Sequence, residues 1–121
     1  MAFLVIADSP EAFAAWLDGQ RQPAREPAEA LAQQGRQVFL QSSCVQCHSI
    51  AGTSATGALG PDLTHLASRR TLAAATLPNT RGYLGGWIVN PQALKPGNHM
   101  PPSDLSPADL HALLAYLESL E

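Results

Sequence analysis

The sequence predicts a small all-α domain preceded by a short strand and helix, and three features predict it. Helical patterns with their own start or stop signals occur in four stretches, around residues 9–20, 26–42, 83–89 and 106–121. Between the later ones lie glycine- and proline-rich loops. Only residues 3 to 7 suit a strand, and no partner strand is offered for them.

Taken in order, "FLVIA" is a β-branched apolar run that reads as the end of a preceding unit. In "DSPEAFAAWLDGQ", Ser9 is placed to cap a helix, Pro10 occupies its first position, and Phe13, Trp16 and Leu17 share one face. "RQPAREPA" has two prolines among charged and small residues, so it reads as a linker, dividing the chain into 1–25 and 26–121. From Glu26 to about Ser42 the spacing predicts a helix with Leu31, Val38 and Phe39 inward. Gly35 leaves room there for a second backbone to cross closely.

"SIAGTSATGALGPDL", residues 49 to 63, is loop, and a loop of small residues needs something to wrap around. A helix around Tyr83 to Val89 presents Leu84, Trp87 and Ile88 and ends near Asn90, because Pro91 restricts the residue before it. "QALKPGNHMPPSDL" is loop again, stiffened by three prolines. "SPADLHALLAYLESLE" closes the chain as a helix capped by Ser106, with Pro107 inside, Asp109 in its first turn, and Leu110, Leu113, Leu114 and Leu117 at helical spacing.

With 121 residues, 45% apolar but only 6% aromatic and 14% charged, the chain has limited material for holding itself together. A large apolar cofactor would help. The formal charge of −3 and the lack of any basic cluster exclude nucleic-acid binding; Lys95 is the only lysine. No apolar run approaches the roughly 20 residues that span a bilayer, and "MAFLVIA" lacks the basic start and the length of a secretory signal. If the chain belongs outside the cytoplasm, the expectation is that a signal or anchor has been removed or that it is a fragment of a longer protein.

The chemistry lies in "SSCVQCHSIAG", where Cys44 and Cys47 are three apart and His48 follows. A thioredoxin-like pair would need a βαβ setting, absent here. A structural zinc site needs further ligands, the chain has no third cysteine, and adjacent Cys47 and His48 would crowd one tetrahedral centre. Cys-x-x-Cys-His as a c-type haem attachment uses all three residues: two thioethers fix the porphyrin and His48 lies beneath the iron. A second axial ligand is then required, and Met100, the only internal methionine, sits in a proline-braced loop. His99, next door, competes for that position; His65 and His111 are weaker rivals.

The chain resembles class I cytochromes c over residues 26 to 121. The resemblance is carried by Gly35 and Phe39 as "G-x-x-x-F", "CVQCH", "GPDL" at 60 to 63, "LGGWIVNPQALKPGNHMP" at 84 to 101 and "LLAYL" at 113 to 117. It implies a small cytochrome c fold wrapped around one covalent haem c with His48 and Met100 on the iron. Gly35 and Phe39 would cross the last helix near Tyr116. The Pro61 carbonyl would fix the tautomer of His48. Arg69 and Asn79 would reach haem propionates, and Trp87 would line the Met side.

More narrowly, the front of the chain looks like the junction in subunit II of caa-type cytochrome c oxidases, where a copper-binding cupredoxin domain precedes a cytochrome domain. Met1 then stands either where that domain has a copper-ligand methionine or as a start residue. The resemblance implies electron transfer from a soluble donor to the dinuclear copper centre of the preceding domain, among other oxidase subunits. It places the chain on the periplasmic or extracellular face of a bacterial cytoplasmic membrane, attached only through what precedes it, with no reaction of its own. The electron port would be the Cys44 and Cys47 edge, surrounded by Val45, Gln46, Ile50, Ala51 and Pro102. A free-standing diffusible cytochrome c and a haem sensor or peroxidase with an open sixth site are the competing readings.

Overall fold

The computed structural model describes residues 5–121. Its helices are α1 (Pro10–Gln20), α2 (Ala30–Gln41), α3 (Arg81–Val89), α4 (Pro91–Leu94) and α5 (Pro107–Glu118), with one two-stranded sheet of β1 (Thr71–Leu72) and β2 (Leu77–Pro78). The all-α reading holds, with a small hairpin that the sequence reading did not contain.

The centre is the crossing of α2 and α5. At Gly35 a Cβ would lie 1.9 Å from the Ala112 carbonyl oxygen, so only glycine lets the two backbones meet. One turn on, Phe39 and Tyr116 pack ring against ring at 6.2 Å, both buried. Inward positions on α2 are Ala32, Gly35 and Phe39. Leu31, expected inward, is 37% exposed: the stripe set by Gly35 and Phe39 runs through Ala32 instead, which is buried at 3% exposure. On α5, Ser106 accepts from the Asp109 amide at 3.1 Å, and Leu113, Leu114 and Leu117 are buried with Ala112 and Tyr116. Beyond α5, Leu120 accepts from the Ala67 amide at 2.7 Å and ties the 62–69 loop to the helix end.

α1 forms as its signals predict, with Ser9 accepting from the Ala12 amide at 3.2 Å, yet it buries nothing. Phe13 and Trp16 are about half exposed, and their rings pair at 5.7 Å. The strand expected over residues 3 to 7 falls partly on residues 1–4, outside the described residues. Over Val5 to Ala7 no strand forms, and Val5 is 79% exposed, because no strand among the described residues pairs with them. The linker after α1 lies against the domain: the Ala24 amide donates to the Ala51 carbonyl at 2.9 Å, Pro27 is buried, and Glu26 pairs with Arg36 at 3.0 Å.

α3 ends at Asn90 as expected. The following loop starts with a further helical turn, α4, because the Asn90 side chain accepts from the Ala93 amide at 3.2 Å and Pro91 suits a first helical position. Between β1 and β2 the chain turns through Ala73, Ala74 and Ala75 with φ of 52°, 57° and 64°. Left-handed backbone costs an L-residue roughly 1–2 kcal/mol, so this turn is held by its surroundings. Leu72 is buried beside the turn, Leu77 packs on the same core, and the Thr76 hydroxyl donates to the Ala73 carbonyl at 2.7 Å. Among the described residues no helix is long and apolar enough to cross a membrane.

Candidate functional site

Cys44 lies in a short 3-10 turn, Ser43–Gln46, that leaves α2 after Ser42, and Cys47 closes that turn, its amide donating to the Cys44 carbonyl at 3.2 Å. The Ser42 hydroxyl accepts from the Cys44 amide at 3.4 Å, and the His48 amide donates back to the Cys44 carbonyl at 2.9 Å. This folds the motif on itself. Both cysteines are half-buried and unbridged.

His48 Nδ1 is 2.8 Å from the Pro61 carbonyl oxygen. A carbonyl can only accept, so Nδ1 carries the proton and Nε2 keeps its lone pair for a metal. The loop that brings Pro61 there is fastened to Cys47, whose carbonyl accepts from the Gly60 amide at 2.7 Å. Gly60 is required by its neighbour: a Cβ would stand 2.6 Å from His48 Cε1.

Asp62 holds this loop from the other side and was not singled out by the sequence reading, although it lies in "GPDL". It accepts from the Ser49 hydroxyl at 2.8 Å and from the Thr64 amide at 2.8 Å. Burial by itself would raise its pKa, but the hydrogen bonds from Thr64 and Ser49 and the nearby Arg69 charge together hold it below the ordinary value.

Arg69 donates to the Asp62 backbone carbonyl, with other guanidinium donors left over. Asn79 donates to the Leu66 and Arg69 carbonyls, both at 2.9 Å. Its amide group is thus hydrogen-bonded to the loop. Trp87 is half-buried on α3 beside buried Ile88.

Met100 is half-buried and packs on the same apolar core as Cys44 and Val45, whereas His99 and His111 are exposed. The Met100 loop is braced mainly by two amides that the sequence reading passed over. Gln92 donates to the Asn98 and Met100 carbonyls at 2.8 and 3.2 Å and accepts from the Gly97 amide at 3.1 Å. Asn98 accepts from the Met100 amide at 2.8 Å and donates to the Lys95 carbonyl at 2.7 Å. His65 is held elsewhere, its Nδ1 2.8 Å from the Glu121 carbonyl oxygen.

Ile50, expected at the exposed cysteine edge, is fully buried at 0% exposure in the core; Val45 is half-buried, and Gln46, Ala51 and Pro102 are exposed. Among the described residues no three His, Cys, Asp or Glu side chains converge, so no protein-only zinc set exists there. Two free thiols and an imidazole with a bare Nε2 fit a covalent haem instead.

The comparisons with known proteins agree in kind. A family model described as cytochrome c matches residues 32–121. The whole chain is 43% identical, over 122 residues, to "Cytochrome c oxidase subunit 2" of Alkalihalophilus pseudofirmus. It is 26% identical, over 125 residues, to the protein of the same description from Bacillus subtilis. The chain spans 35% of the length of each of these relatives.

Proposed function

Since the chain belongs to the cytochrome c family, with the covalent haem c which that family implies, we propose that it serves as the electron-transfer domain of a haem-copper terminal oxidase subunit II in aerobic respiration. It would take electrons from a soluble donor and pass them to a dinuclear copper centre. The 43% identity across the whole chain to an oxidase subunit 2 supports this, as does the threefold greater length of that relative. On this reading residues 1–25 are the end of the preceding copper-binding domain and its linker, and 26–121 the cytochrome domain. The larger subunit would be anchored in the bacterial cytoplasmic membrane, with this part on the periplasmic or extracellular face beside the other oxidase subunits. By itself the domain makes and breaks no substrate bond.

When bound, the haem supplies a one-electron iron couple. Cys44 and Cys47 would hold it by thioethers, and His48 would ligate through Nε2. The observation that carries the reading is the 2.8 Å contact of His48 Nδ1 with Pro61, which fixes the tautomer and ring plane as a carbonyl partner of a ligating histidine does. Met100 would fill the sixth position, which excludes oxygen and favours a raised potential. Arg69 keeps donors for a propionate, and Trp87 would line the Met100 side. Tethering to the acceptor domain raises the effective concentration of donor near acceptor.

An absorption spectrum tests this. Reduced bands of covalent c-type haem with the weak far-red sulfur-to-iron band in the oxidised protein are expected. Haem without that band would move the sixth ligand to His99 or open the site, and no haem from a competent host would overturn the reading.

A further inference from the structure

We propose that Lys95 is a positioning residue that straps the Met100 loop to the 71–78 hairpin and so keeps the sixth ligand in place. The inference rests on the haem reading above. Lys95 is the only lysine, and among the described residues no ion pair includes it. Its Nζ instead donates to the Ala73 carbonyl, 22 residues away, at 2.8 Å in a partly buried setting. An ammonium group on a neutral backbone oxygen is a charge-assisted bond, and half-burial shields it from competing water.

The acceptor is unusual. Ala73 begins the three-alanine left-handed turn, and its carbonyl takes the Thr76 hydroxyl as well as Lys95. A carbonyl has two lone pairs, so both donors fit. The turn is thus held locally by Thr76 and across the molecule by Lys95.

At its other end Lys95 joins the bracing of Met100. The Lys95 carbonyl accepts from the Asn98 side chain, whose oxygen accepts from the Met100 amide. A continuous hydrogen-bonded route runs from Met100 through Asn98 and Lys95 to Ala73. Within the loop, Gln92 and Asn98 fix its shape; Lys95 is the one side chain hydrogen-bonded from residues 91–100 to the hairpin. Loss of Lys95 should leave the loop folded on itself but free to swing as a unit.

The test uses the haem-loaded chain and two variants, Lys95→Met, which keeps length without a donor, and Lys95→Arg, which keeps a donor. In stopped flow, imidazole at saturating concentration enters the sixth site at the rate of loop opening. Lys95→Met should open about tenfold faster, the equivalent of one hydrogen bond to a charged group. Its far-red band should persist at low temperature and fade earlier on warming than that of the unchanged protein. Lys95→Arg should stay within about threefold of the unchanged protein, because a donor to Ala73 is retained. Equal opening rates in all three would overturn the strap while leaving Met100 ligation intact. Absence of the far-red band from the unchanged protein would overturn both the strap and the Met100 assignment.

Discussion

At the scale of single residues, the site is shaped as much by what surrounds His48 as by His48. Gly60→Ala puts a methyl 2.6 Å from the imidazole. The ring must then tilt off the Pro61 carbonyl or the loop must lift from Cys47, at about 1–3 kcal/mol for overpacking. Thermal unfolding of the haem-loaded variant should show that loss, whereas Gly82→Ala, where a Cβ meets nothing, should not. Asp62 makes a pH prediction. Its folded pKa is depressed, so its contribution to stability is present above the ordinary carboxylate value near 4 and is lost as pH falls through the lower folded value. Denaturant unfolding of the parent and Asp62→Asn should therefore differ above about pH 4 and converge in stronger acid. A constant gap down to the lowest pH would show that Asp62 acts by shape alone.

At the scale of elements, the fold depends on one close crossing. Gly35→Ala drives a methyl into the Ala112 carbonyl at 1.9 Å, and a backbone atom cannot rotate aside. The cost should reach or exceed the upper end of the roughly 1–3 kcal/mol typical of overpacking, read as a lowered denaturation midpoint. Ser106→Ala should cost about 1 kcal/mol by removing the cap of α5. These elements were legible because their signals are local: a hydroxyl before a proline, a glycine in an apolar stripe, a proline after Asn90. The cysteine motif was legible for the same reason. What the sequence hid was set by distant partners. "TLAAATLP" has no glycine or asparagine at its turn, and its left-handed alanines sit between Leu72 and Leu77 of the core, with the Thr76 hydroxyl and the Lys95 ammonium both on the Ala73 carbonyl. Ile50 follows the motif closely in sequence, yet the 49–63 loop folds it into the core. Asn79 has the chemistry for a propionate, and only the fold reveals that its amide also donates to the Leu66 and Arg69 carbonyls.

At the scale of the whole molecule, charge is distributed away from the chemistry. No charged residue lies between Arg36 and Asp62, the stretch that carries Cys44, Cys47 and His48, and none lies between Lys95 and Asp104 around Met100. Within the first stretch Leu59 is 88% exposed, and its neighbour Gly60 is fastened to Cys47, so an exposed apolar side chain stands in the uncharged stretch that carries the cysteines. On the proposed function, a donor approaching this edge would meet little field to steer it, since steering comes from clustered charge and is screened over about 10 Å at 0.1 M salt. Productive encounters should instead depend on displacing water from a small apolar patch. Electron transfer from a soluble donor should then change less than about threefold between low and physiological salt, whereas a steered pair falls steeply over that range. Leu59→Asp should slow the reaction by about tenfold, through loss of apolar contact and burial of an unpaired carboxylate, while leaving the haem spectrum unchanged. Stopped-flow reduction across a salt series checks both, and a steep salt dependence in the unchanged protein would mean that the donor docks through the charged surfaces around Arg69 or Arg81 instead.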